Sequence, residues 1–170
     1  MMHIVHKYVD TFVLTSTAGS TSSHLFSVNG LYDPNITATG HQPSYFDTLT
    51  PIYNHYTVMS STILVEMVVS TSAALVALYT DDDTSVPSAA YIAAEQPSAS
   101  SVTAPVTSYK PSKLTKSWNA KSNFGGDILD NDELKGISTA NPVEQMYFVI
   151  MASSLDGISN ATVNCRATIS

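Results

Sequence analysis

The sequence predicts an all-β fold, a sandwich of two stacked antiparallel sheets. Three observations carry that expectation. Apolar side chains recur at every second position, most cleanly where Ala161, Val163, Cys165, Ala167 and Ile169 alternate with Thr162, Asn164, Arg166 and Thr168. Helical spacing is confined to short pieces, and no strand alternates with a long helix, which removes the parallel α/β classes. Charged residues make up only 12% of the chain against 44% hydrophobic, so Ser, Thr and Asn must cover the outside, as suits strand faces and turns. The 170 residues fit one domain. A chain of this size buries roughly two thirds of its unfolded surface, so its core needs neither disulfide nor metal.

Taken in order, Ile4 to Thr15 reads as a strand or strand pair, with Tyr8, Val9, Phe12 and Val13 as its aromatic and β-branched residues. The small polar run Ser16 to Ser23 ends it. A short apolar piece, His24 to Val28, leads into Asn29-Gly-Leu-Tyr-Asp-Pro-Asn35, where Asn-Gly and Asp-Pro both set turns. Phe46, Leu49, Ile52, Tyr53 and Tyr56 recur at three and four, predicting one or two helical turns, the second opened by Pro51, that plug an end of the sandwich. From Thr57 to Val69 both faces carry apolar residues, which predicts a strand covered on two sides by a second layer or a neighbouring subunit. Ala73 to Tyr79 forms the next strand, ended by the acidic turn Asp81 to Asp83. Ser85 to Ser112 has little periodicity and four prolines, so surface loops are expected there, with at most a short helix near Ala89 to Ala94. Leu114 to Ala120 and Met146 to Ala152 read as strands, and Asp130 to Leu134 as a helical turn with Gly136 after it.

Composition also limits function. Seven basic against fourteen acidic residues give a formal charge of −7, which excludes whole-molecule attraction to phosphate. No run approaches the roughly 18 apolar residues of a membrane helix, and the first twelve residues show no apolar signal-peptide core. A Gly-x-Ser-x-Gly elbow is missing, so a hydrolase of that type is not indicated. Cys165 lies on the apolar side of its strand with no cation in register, where a thiol is an inert core residue. His3, His6, His24, His41 and His55 lack zinc-ligand spacing, and no metal or cofactor is expected. Asp81, Asp82 and Asp83 offer either calcium ligands at a subunit contact or a solvated turn. Glu66, Glu95, Glu133 and Glu144 show no pairing of the kind a glycosidase needs, so no enzyme is expected. Asn35-Ile-Thr and Asn160-Ala-Thr are glycosylation triplets that matter only in a secreted chain, and Gly125-Gly126 lacks the Lys-Ser/Thr of a phosphate cradle.

One segment concentrates positive charge. Lys110, Lys113, Lys116 and Lys121 surround Trp118, with Tyr109 near, so phosphate contact and base stacking can coincide there; the other reading is a lysine-protected strand edge.

The order of motifs carries a resemblance. Phe26-Ser-Val-Asn-Gly-Leu-Tyr-Asp-Pro-Asn, Gly40-His-Gln-Pro, Phe46-Asp47 and Tyr53-Asn-His-Tyr-Thr-Val58 are followed by Phe124-Gly, Asp132-Glu-Leu-Lys-Gly136, Asn141-Pro-Val-Glu-Gln-Met-Tyr-Phe148 and a closing Val163-Asn strand. From about Lys7 to Ile169 this resembles the capsid proteins of circovirus-like viruses, whose circular single-stranded DNA encodes a replication initiator. The resemblance implies a single jelly roll of eight antiparallel strands in two four-stranded sheets, with short helical turns in its loops, spanning residues 1–170 as one shell domain. It implies a structural role in the virion: identical subunits assembling into a small icosahedral shell of T=1 type around the genome, with no membrane involved. Family members carry a basic N-terminal arm, which is expected to be absent here, and they run several residues past the last strand. Either the sequence is a trimmed form or this member packages its genome differently, and the DNA contacts then fall to Lys113, Lys116, Trp118 and Lys121. Subunit contacts are expected in the Asn29 to Gln42 and Ser85 to Ser112 loops, at Tyr32, Asp33, Pro34, His41 and Tyr91, because these loops are long and poor in charge. The competing reading is a jelly-roll carbohydrate-binding module, which also presents exposed aromatics.

Overall fold

The computed structural model describes residues 2–18, 20–106 and 110–170. Its strands are β1 (Tyr8–Ser16), β2 (Ser22–Ser27), β3 (Ser60–Val69), β4 (Ala74–Asp81), β5 (Ser100–Ala104), β6 (Ser112–Asn119), β7 (Tyr147–Ser154) and β8 (Ala161–Ile169). Three short helices, α1 (Phe46–Leu49), α2 (Ala90–Ala94) and α3 (Ala120–Phe124), sit in the connections with a 3-10 turn at Asp132–Leu134. One sheet runs β1-β8-β3-β6 and the other β2-β7-β4-β5, every pairing between them antiparallel. That is the jelly roll expected from the sequence.

The two-residue rhythm builds the core. In β8, Val163, Cys165 and Ala167 point inward, in register with Val69, Met67 and Val65 of β3. Phe26, Val76, Leu78, Phe148 and Ile150 meet them from the opposite sheet. Each such side chain contributes roughly 1.5–3 kcal/mol by leaving water. The second sheet is buried on its outer side as well. There Leu25, Ala77, Tyr79, Val149 and Met151 are roofed by Ala90 and Ala93 of α2, with Ile36 against them. Hence β4 and β7 read as nearly unbroken apolar runs.

Register places the connections 17–21, 70–73, 105–111 and 155–160 at one end of the sandwich, and the long connections 28–59, 82–99 and 120–146 at the other. The body is therefore lean at one end and broad at the other.

Four expectations need correction. The strand expected from Ile4 starts at Tyr8. The outward side of β3 is not covered within the chain: Leu64 is screened only by its cross-strand neighbours Thr115 and Thr168, and Val68 is 41% exposed. Ser85 to Ser112 holds a fifth strand as well as the short helix, because Val102 and Ala104 alternate with Ser101 and Thr103 along β4. Only α1 plugs the sandwich, through buried Phe46; Pro51 and Ile52 form a turn closed by the Ile52 N–H to the Leu49 carbonyl at 2.9 Å, and Ile52 and Tyr53 stay in solvent.

Candidate interface surfaces

The motifs behind the resemblance meet at the broad end, in one clamp between the 29–35 loop and the 136–146 loop. Asn29 is buried and spans the gap: its Nδ2 donates to the Glu144 carbonyl at 2.8 Å and its Oδ1 accepts the Met146 N–H at 3.0 Å. Asn141 answers from the other side. Its Oδ1 accepts the N–H groups of Tyr32 and Asp33, each at 3.1 Å, and its Nδ2 donates to the Asp33 carbonyl at 3.1 Å. The Tyr56 hydroxyl accepts the Leu31 N–H at 2.9 Å and donates to Asn141 Oδ1 at 3.4 Å. Tyr56 and Gly136 also exchange both backbone hydrogen bonds at 2.9 Å. Such loops need partners for every buried backbone polar group, and Asn, Tyr and Gly supply them. At Gly30 a Cβ would stand 2.5 Å from Asn141 Cγ and Ser27 Oγ, and at Gly136 it would fall on the Tyr56 ring, so neither position accepts a side chain.

A second knot fixes the 34–42 segment to β1. Tyr8 and Asn35 both donate to Asp10 Oδ2, at 2.7 and 2.9 Å, and the His41 ring stacks on Tyr8 at 4.7 Å. Burial, then the hydrogen bond to Asp10, pushes the Tyr8 phenol well above its ordinary range. Burial pushes the Asp10 carboxyl upward, yet the hydrogen bonds from Tyr8 and Asn35 prevail and hold it below its usual value. Asn35 is buried with its side chain engaged, which closes the Asn35-Ile-Thr triplet to a glycan in the folded chain.

Of the residues expected at subunit contacts, Tyr32, His41 and Tyr91 are exposed, Tyr91 the most at 62%. Asp33 is half-buried. Pro34 is corrected: it is buried, its carbonyl accepting the Ser27 N–H at 2.8 Å, so it shapes the loop from within.

The lysine segment does not form one strip. β6 alternates, so Lys113 faces outward while Lys116 turns with Leu114 and Trp118 toward the sandwich, where it bonds the Ser98 carbonyl and, at 2.6 Å, Ser98 Oγ. Burial pushes the Lys116 ammonium pKa down. Trp118 is only 4% exposed and packs edge-on against Phe124 at 6.0 Å, so its expected role as a base-stacking platform is corrected to a core residue. Tyr109 lies outside the described residues. Lys121 is exposed on α3.

Lys113 instead belongs to a triad on the outward face of the first sheet, where Glu66 lies between it, at 2.7 Å, and Arg166, whose Nε is at 3.1 Å. The hydrogen bonds from Lys113 and then Arg166 bring the Glu66 carboxyl down to about 2. A depressed carboxylate stabilises the fold above its unfolded value and loses that contribution as pH falls through the folded one. Glu66→Gln should therefore melt below the parent at neutral pH, the gap closing as pH drops from about 4.5 toward about 2. Thermal melts of both proteins across that range check it.

The remaining sequence candidates resolve simply. Burial drives the Cys165 thiol up to about 12, so it stays protonated. Asp81 and Asp83 spend oxygens on the N–H groups of Asp82 and Ser85, each at 2.9 Å, and among the described residues no group of three or more His, Cys, Asp or Glu is placed to hold a metal ion.

One feature is not visible in the sequence. Residues 2–6 cross the 43–61 connection and leave an open groove of about 960 Å³, floored by Phe46 and rimmed by Val5, Ile52, Tyr53, Met59 and Leu129. Neither the helical spacing at 46–56 nor the short N-terminal segment signals that the two lie together.

No family model matches this chain, and no curated protein does. Among solved structures it is similar to that of Desmodium yellow mottle tymovirus, with 11% identity, a TM-score of 0.40 and coverage of 99% of this chain and 89% of that one. It is also similar to Cocksfoot mottle virus at 11% identity and TM-score 0.39, and to a decameric BFDV capsid protein at 10% identity and TM-score 0.41, each covering 96% of this chain and 94% of the other.

Proposed function

We propose that the chain is a circovirus-like coat protein that assembles with copies of itself into a small T=1-type icosahedral shell around a circular single-stranded DNA genome. The observation that carries this reading is the clamp. The motifs around Asn29, Tyr56, Gly136 and Asn141 lie more than a hundred residues apart in sequence at their extremes, yet they bond one another at one end of a jelly roll. They make a rigid body with a lean and a broad end, a shape that packs around rotation axes. A surface short of charge favours this, because charged residues are depleted where subunits meet. Many modest contacts, repeated by symmetry, then hold a closed shell.

Negative-stain microscopy and light scattering of the purified chain test the reading: closed particles of megadalton mass are expected, and a small oligomer at high concentration overturns it. Tyr32→Glu or Tyr91→Glu should block assembly and leave a folded subunit, seen as loss of the particle peak with an unchanged far-ultraviolet spectrum.

Within this domain, Lys113 and Lys121 are the exposed members of the basic set and the proposed phosphate contacts. With −7 over the 170 residues, particles built of this chain should hold little nucleic acid, and an absorbance ratio typical of packaged DNA would contradict that.

A further inference from the structure

The groove between residues 2–6 and the 43–61 connection has a property that the rest of this acidic surface lacks. No Asp, Glu, Lys or Arg lines it, and histidines are the only side chains there that gain positive charge near neutral pH. Its rim is also unusually apolar for a protein surface, with Val5 85% and Ile52 68% exposed beside Tyr53, Met59 and Leu129. Contiguous exposed apolar surface of this kind marks a place where something docks.

Charge selects the occupant. With fourteen acidic residues against seven basic ones, two copies brought together at random meet like charge against like charge, which costs several kcal/mol per bad juxtaposition. Only uncharged surfaces on both copies avoid this. The groove is one. The other is the 84–94 stretch, which contains no charged residue and presents Tyr91 from α2, with Val86 exposed just ahead of it. The other strongly exposed apolar side chains have an acid beside them or two residues away: Tyr45 by Asp47, Val143 by Glu144, and Leu155 and Ile158 by Asp156. Tyr91 is also rigidly carried, since Ala90 and Ala93 of the same helix are packed onto β4 and β7. An aromatic knob on a fixed helix with an apolar socket elsewhere on the same molecule is the arrangement of a head-to-tail contact.

We infer that the groove is the socket for a second copy of this chain, which inserts the Tyr91 face of its α2 helix. This rests on the self-assembly reading above and specifies the contact within it.

Ile52→Lys, Tyr91→Glu and the double variant, run beside the parent at mildly alkaline pH where histidine is neutral, test it by size exclusion with light scattering. Each single variant should lose the particle peak, and the double variant should regain it, because the introduced charges are opposite and meet across the contact. Circular dichroism checks that each variant is folded; if Ile52→Lys is not, Val5→Lys takes its place. Particles from Ile52→Lys as abundant as the parent's overturn the groove as a contact while leaving the shell reading intact. Loss in both singles without recovery in the double variant overturns the pairing with Tyr91. If the parent itself forms no particles, it is the shell reading that fails.

Discussion

Trp118→Ala should lower stability by about 3–5 kcal/mol, the range for truncating a large buried aromatic. In a domain of this size that corresponds to a fall in Tm on the order of 10 °C. The ring is the largest side chain β6 sends inward, where it packs edge-on against Phe124 and holds the start of α3 to the sheet. A stacking residue on the surface would behave oppositely: its truncation would leave the melt unchanged and weaken DNA binding. Denaturant unfolding of the variant separates the two, because a cavity lowers the midpoint with the slope unchanged. Trp118→Phe, which keeps most of the volume, should recover much of the loss.

Gly136→Ala should cost about 3 kcal/mol, the upper end of overpacking penalties. Elsewhere one methyl is absorbed by a small shift, but here neither side can move. Gly136 is bonded to Tyr56 through both backbone groups, and the Tyr56 ring is fixed by its hydroxyl bonds to Leu31 and Asn141. The added Cβ would fall on that ring. The test is a double-mutant cycle: Gly136→Ala with Tyr56→Ala should be less destabilised than the sum of the two, since the second change removes what the first strikes. Simple additivity would show that the two residues do not compete for that space.

The legible parts of the sequence were those governed by a single local rule. β8 could be placed from alternation alone, because one face is buried and the other open. The turn at Asp132–Leu134 was visible from its Asn131 cap, whose Oδ1 accepts the Glu133 N–H at 3.0 Å. β5 was missed because its inward residues are only Val102 and Ala104, too small and too few to stand out from a Ser- and Pro-rich stretch. α3 was read as the end of a strand, since Asn119 serves equally in an extended segment and as the cap that accepts the Ser122 N–H at 3.2 Å. Lys116 and Trp118 were grouped with Lys113 by nearness in sequence, whereas a strand sends neighbours to opposite faces. The clamp was read as a set of motifs, but its geometry depends on residues from three long connections, and no local pattern encodes that meeting. The groove has the same origin.

Asn29-Gly30 is the dipeptide most prone to slow chemical ageing, in which the glycine N–H attacks the preceding side-chain amide and expels ammonia. That attack requires the Asn29 side chain to swing toward the Gly30 backbone, and both ends of its amide are held across the clamp by Glu144 and Met146. The hydrogen bonds that join the two loops therefore also serve as a shelf-life device. Deamidation at this position should report on loosening of the fold long before the chain unfolds.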